Sequence, residues 1–276
     1  MIIDAFMFFN ELELLEIRLN ELDPVVDQFV IVESLERHGS ANSKPAFIQD
    51  NWHVVKPFEK KIKYVLLPHL EPPYTNSVSG WGRENFQRNS LMAPALELST
   101  SPDDILILSD CDEIPRATVI KENLVLDRIH RLGLELFYYN VNRYVGLWDN
   151  STIGTVAQYI NEGGTQKVRS DTIVRPHTKY GIIHNAGWHF SYFGGIDRMR
   201  EKVGSFAEAY LDSSAAFRNR PDAEIAADVL AGEDIYHRGI YSKFERREAN
   251  DPRLPAYFLK NIERYTQFTD GASWNI

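Results

Sequence analysis

Asp103-Asp104-Ile105-Leu106-Ile107-Leu108-Ser109-Asp110-Cys111-Asp112-Glu113-Ile114-Pro115 is an apolar run that ends in an Asp-x-Asp-Glu cluster and a proline. The run reads as a buried strand. Side chains alternate along extended backbone, so Asp110 and Asp112 are expected to share a face while Cys111 turns back into the protein. Two carboxylates at the carboxyl end of a strand make a hard-oxygen site for Mg²⁺ or Mn²⁺ that leaves positions open for water and phosphate. An Asp-x-Asp alone is also a common solvated turn. The buried strand before it, and Pro115 placed for the first turn of a helix, favour the site.

Outward from this stretch, the first half alternates short apolar runs with helical patterns. Residues 2–9, 28–33 and 62–67 read as strands. Asn10 is placed to cap a helix whose Leu12, Leu15, Leu19 and Leu22 form one stripe, with Glu13 at the capping-box position and Pro24 at the close. Residues 81–98 read as a helix that Pro94 kinks or ends, and 115–131 as the helix after the acidic cluster. This order implies an α/β fold, a mostly parallel Rossmann-like sheet with helices on both faces, which binds ligands outside the carboxyl ends of its strands. The second half is less regular, with strands expected at 134–141, 155–160 and 187–193 and helices at 196–208, 222–231 and 255–265. No repeat or linker divides the chain, so residues 1–276 are expected to form a single domain with a conventional boundary at 132.

Composition narrows the partners. A net charge of −9 argues against a nucleic-acid or anionic-membrane surface, which needs clustered Lys and Arg. The single cysteine, Cys111, excludes a disulfide framework and a multi-cysteine zinc site. The opening Met1 to Phe9 is too short and acidic for a signal peptide, and no apolar run reaches ~18 residues. A soluble, cytoplasmic protein with no membrane span is expected.

Several side chains qualify as nucleotide ligands beside a structural alternative. Glu33, ending a strand, could meet a ribose or base, or be a solvated strand end. Arg83 and Arg88 could fork onto a diphosphate, although Glu84 and Arg88 can also pair across one helical turn. Asn85 and Gln87 could read a base or sugar edge. His189 lies in an aromatic run, Trp188-His189-Phe190, where a hydrogen-bonded structural role competes with ligation.

Asp4-Ala5-Phe6, Phe8-Phe9-Asn10-Glu11-Leu12, Leu14-Leu15-Glu16-Ile17-Arg18, Trp81-Gly82-Arg83-Glu84-Asn85-Phe86-Gln87-Arg88-Asn89, Ser109-Asp110-Cys111-Asp112-Glu113-Ile114-Pro115, Ala186-Gly187-Trp188-His189-Phe190-Ser191 and Pro255-Ala256-Tyr257-Phe258-Leu259-Lys260-Asn261 occur in that order. Together they resemble glycosyltransferase family 17, the family of bisecting N-acetylglucosaminyltransferases. The resemblance implies a GT-A fold, a UDP-sugar donor, UDP-N-acetylglucosamine by preference, a divalent metal and transfer with inversion to a saccharide or glycoconjugate acceptor. It makes 1–132 the nucleotide-sugar half and 133–276 the acceptor half. It puts Asn10, Glu11, Glu33, Arg83, Asn85, Arg88 and Asp110 around the donor, and Asp110, Asp112 and His189 on the metal. Asp197, at a helix start after Gly194-Gly195, becomes the first choice of base, with Glu113, Glu201 and Asp234 behind it. Trp148, Trp188 and Tyr192 are expected to build the acceptor cleft. Two departures are expected to matter: no counterpart of the Golgi enzymes' anchor and stem is read in this sequence, and Ala207 stands where several bacterial-type relatives are expected to carry His. A sugar-nucleotide nucleotidyltransferase lacks its Gly-rich basic loop here, since Phe8-Phe9-Asn10-Glu11 is neither. A non-catalytic carbohydrate-binding protein would tolerate loss of the carboxylates that this chain keeps.

Overall fold

The computed structural model describes residues 1–40, 42–70, 79–174, 179–209, 211–236 and 244–270. Its elements run β1 (Ile2–Phe8), α1 (Leu12–Leu22), β2 (Gln28–Ser34), α2 (Phe47–Asp50), β3 (Ile62–Leu67), α3 (Gly80–Asn89), α4 (Met92–Leu98) and β4 (Ile105–Asp110). Then come β5 (Glu113–Pro115), α5 (Ala117–Glu122), β6 (His130–Tyr138), β7 (Arg143–Thr155), α6 (Val156–Asn161), α7 (Thr165–Val174), β8 (Gly181–Ser191), α8 (Gly195–Ser205), α9 (Asp212–Arg218), α10 (Asp222–Ala231), β9 (Glu245–Arg246) and α11 (Ala256–Lys260).

In β1, Ile3, Ala5 and Met7 enter a core with Val30, Leu106 and Tyr159, while Phe6 and Phe8 enter the opposite core with Leu15, Leu19 and Phe29. A strand covered on both faces must be apolar at nearly every position, which is why β1, β2 and β4 read as continuous hydrophobic runs. The sheet order is β3-β2-β1-β4-β7-β6-β8-β5, with β9 on β7. β3, β2, β1 and β4 are parallel; β7 joins β4 antiparallel and begins the mixed half. The chain steps outward from β1 to β2 and β3, then returns to β4 on the other side of β1. That reversal opens a crevice at the carboxyl ends of β1, β2 and β4. The GT-A expectation of a mostly parallel Rossmann-like core with a less regular second half describes this architecture.

Several local expectations are corrected. Asn10 does not cap α1: the cap position is Glu11, whose Oε2 accepts from the Phe9 and Asn10 backbone N–H groups, and Glu13 pairs instead with Arg198. The 81–98 helix breaks at Ser90 rather than at Pro94, because Pro94 falls in the first turn of α4, where its missing N–H is not needed. No long helix follows the acidic cluster. The chain folds back so that Glu113 pairs with His189 and Pro115 with Gly187, placing the proline in an edge strand where it is tolerated. Residues 155–160 are not a strand, since Thr155 and Gln158 close a capping box that starts α6. β7 and α7 have no counterpart in the sequence reading. None of the described helices is long and apolar enough to cross a membrane.

Candidate active site

The acidic turn is fixed from beneath. Arg18, fully buried, grips both oxygens of Asp4 and donates through Nη1 to the carbonyls of Asp110 at 3.0 Å and Glu113 at 2.7 Å. Cys111 points into the core beside Phe6 and Phe8, as alternation requires, and burial pushes its thiol up. Asp110 and Asp112 are thereby presented at the crevice above β4.

Each carboxylate of the cluster meets protein cations. Asp110 lies 3.2 Å from Arg88 and 2.9 Å from Arg169. Asp112 Oδ2 accepts from Lys202 Nζ at 2.6 Å, with His189 Nε2 at 3.7 Å. Burial opposes ionisation of Asp112, but the Lys202 ammonium and the His189 ring outweigh it and hold the carboxyl well below its usual range. Glu113 is sealed: it accepts from Asp110 N, Trp148 Nε1, Ser151 Oγ and both Nη atoms of Arg169. Burial raises its carboxyl, yet the Arg169 guanidinium brings it down to about 2.

Above the cluster opens a cleft of about 600 Å³, lined by Phe9, Glu11, Trp81, Asn85, Arg88 and Trp148 as well as the acidic residues. Glu11 and Asp112 both face Lys202, at 3.9 and 2.6 Å. Burial pushes the Glu11 carboxyl up, against the pull of Lys202. Among the described residues no three His, Cys, Asp or Glu side chains converge closely enough to hold an ion by themselves.

Of the residues singled out from sequence, Glu11, Asn85, Arg88, Asp110, Asp112, Glu113 and His189 line the cleft. Others do not. Glu33 is fully buried and serves as an anchor, accepting from Lys44 Nζ, Tyr64 Oη and the backbone N–H groups of Phe47 and Ile48 at the start of α2. Arg83 is buried and directs Nε to the His38 carbonyl. Asn10 donates to Glu201 at 2.7 Å, and Glu201 also meets Arg37. Asp234 is buried away from the cleft, accepting from the Tyr236 N–H. Asp197 is exposed on α8. It precedes Lys202 by five residues, about 140° around a helix, so the turn that aims Lys202 at the cleft aims Asp197 away. Gln87 reaches the cleft wall but is engaged by the Val32 carbonyl and His38. Trp148 lines the cleft; Trp188 is core, bonded to the Arg253 carbonyl, and Tyr192 packs on Tyr138 and Tyr139.

Sequence reading missed Arg169 and Lys202. Both sit in helices of mixed charge, Lys167-Val168-Arg169-Ser170-Asp171 and Arg198-Met199-Arg200-Glu201-Lys202, which read as solvated faces.

A crevice at the carboxyl ends of parallel strands, with acidic residues at the topological switch point, is where open α/β sheets bind their ligands. The profile of glycosyltransferase family 17 matches residues 1–273, and the chain belongs to that family. It is 32% identical over 302 residues to the human beta-1,4-mannosyl-glycoprotein 4-beta-N-acetylglucosaminyltransferase, covering 98% of this chain and 55% of that one. The Rattus norvegicus enzyme of the same name is 32% identical over 120 residues, 41% of this chain and 21% of the relative. The chain thus spans about half the length, or less, of the curated relatives it matches. A crystal structure of Mycobacterium tuberculosis glucosyl-3-phosphoglycerate synthase with Mn²⁺, UDP and glucosyl-3-phosphoglycerate is 12% identical with a TM-score of 0.40, covering 79% of each chain.

Proposed function

We propose that this protein transfers a sugar, N-acetylglucosamine by preference, from a UDP-sugar to a saccharide hydroxyl with inversion at the anomeric carbon. The observation that carries the reading is the position of Asp110 and Asp112 at the switch-point cleft of a family 17 chain. The human relative's name supplies the sugar and the saccharide class of the acceptor.

The donor set suits Mn²⁺ or Mg²⁺ arriving with its ligand. Asp112 Oδ1 takes no hydrogen bond from the described residues, and His189 stands beside Oδ2. Asp112 and His189 would hold the ion with diphosphate oxygens completing the shell, the usual way a hard cation is bound by one or two carboxylates plus phosphate. When bound, the ion supplies positive charge to the departing diphosphate. Asp110, held between Arg88 and Arg169, positions the Asp112 turn. Trp81, 42% exposed at the cleft mouth, and Trp148 offer apolar faces to sugar rings. Burial raises the Glu11 carboxyl at the cleft, which fits it to accept the acceptor hydroxyl's proton.

Incubation with a panel of nucleotide sugars, Mn²⁺ and a mannose-terminated or chitobiose acceptor tests the reading. UDP-N-acetylglucosamine should be consumed first, with a β-linked product by NMR. Preference for a GDP- or dTDP-sugar, or an α-linked product, rejects it.

A further inference from the structure

Among the described residues, four lysine and arginine side chains line the cleft: Lys44, Arg88, Arg169 and Lys202. Three are committed to the scaffold. Lys44 Nζ lies 3.0 Å from Glu33 with its side chain 1% exposed. Arg88 and Arg169 are buried and tie Asp110 to Glu84 and Glu113. Lys202 differs on each count. Its side chain is 28% exposed, against 1%, 4% and 7% for Lys44, Arg88 and Arg169, and among the described residues it makes one short polar contact, to Asp112 Oδ2. Its distance to Glu11, 3.9 Å, is beyond hydrogen-bond reach. An ammonium carries three donor hydrogens, and Asp112 uses one.

We propose that Lys202 is the phosphate-binding cation of this cleft, holding Asp112 with one hydrogen and giving the others to the diphosphate oxygens of the donor. The inference rests on the donor reading above and adds to it the residue that meets the diphosphate. Asp112 and Glu11 both face this space, and two carboxylates repel an incoming diphosphate unless a cation stands between them. Lys202 occupies that position. A compact, flexible point charge can follow phosphate oxygens without leaving Asp112. The same placement makes Lys202 a competitor of any divalent ion for Asp112 Oδ2.

Calorimetry on the whole chain, with UDP and with inorganic pyrophosphate as a base-free probe, in EDTA and again with Mn²⁺, tests this. Lys202→Met keeps the length and removes the charge; Lys202→Arg keeps the charge. The parent should bind both ligands, Lys202→Met should lose about ten-fold or more for each, and Lys202→Arg should stay within a few-fold. Mn²⁺ alone, followed by electron paramagnetic resonance, should bind Lys202→Met more tightly than the parent. Parent-like ligand binding by Lys202→Met overturns the assignment, as does weaker Mn²⁺ binding. An equal loss in Lys202→Arg, or a large drop in the melting temperature of Lys202→Met, assigns the effect to packing and overturns it too. A parent that binds neither UDP nor pyrophosphate under either condition removes the donor reading itself, a result distinct from equal binding by parent and variant.

Discussion

Arg18 and Asp4 form a two-pronged ion pair, at 2.6 and 2.8 Å, with both side chains fully buried under the acidic turn. The pair does more than balance charge. The same guanidinium donates to Ser109 Oγ and to the carbonyls of Asp110, Cys111 and Glu113, so one side chain satisfies the backbone of the turn that carries the site. Without it those carbonyls would be buried and unpaired.

Replacing Arg18 by Met should therefore cost about 3–5 kcal/mol in urea unfolding, the usual penalty for leaving one member of a buried pair alone. Exchanging Asp4 for Leu as well should recover only part of the loss, because the turn carbonyls remain without a donor. Full recovery in the double variant would show that charge balance was the whole role.

Acid should loosen the same region. Glu113 is held at about 2 against an ordinary 4.5, and Asp112 is also held down. A depressed carboxyl contributes stability that is present above its unfolded value and lost as pH falls through its folded value. The Glu113 contribution, on the order of 3 kcal/mol, should thus be intact above about pH 4.5 and drain away toward pH 2. Urea midpoints measured across that window should fall steeply, and a flat profile there would contradict the ion pairing with Arg169.

Asp112→Asn should still fold, with its melting temperature lowered by no more than the loss of the ion pair with Lys202, since the side chain lies at the cleft rather than in a hydrophobic core. It should lose transfer by about 10²-fold or more, because a neutral amide binds a hard cation poorly and leaves Lys202 without its counter-ion. Unchanged Mn²⁺-dependent turnover in this variant would remove Asp112 from the site.

The parallel half was legible because short apolar runs leave a signal that survives without tertiary information: β1 and β2, buried on both faces, fall within a residue of expectation, and the half-buried edge strand β3 falls on the expected 62–67. β7 was not, for it runs half-exposed through Asp149 and Asn150 before its buried end, so neither alternation nor an apolar run marks it. Asp110, Asp112 and Glu113 could be found because a strand end predicts where they stand. Lys202 and Arg169 could not, since their importance lies in which way two polar helices face. The exposure of Asp197 was hidden for the same reason: the glycine turn before α8, with Gly194 at φ 103°, was legible, but not the rotation of the helix behind it.

The proton acceptor gives the last prediction. Glu11 lines the cleft beside Lys202, and burial raises its carboxyl above the ordinary 4.5. That direction suits a base working near neutrality, where a lowered carboxyl such as that of Glu113 accepts a proton poorly. A positioned base contributes ~10²- to 10⁴-fold to rate, so Glu11→Gln should lose transfer by about that factor while binding UDP as the parent does. The acid limb of the parent's kcat profile should lie above the ordinary carboxylate range and vanish in the variant. Asp197→Asn, on the outward face of α8, should transfer sugar within a few-fold of the parent. Near-parent turnover by Glu11→Gln would exclude it as the base, whereas a loss of UDP affinity with kcat preserved would make Glu11 a donor-binding residue, the role the family resemblance implies for it.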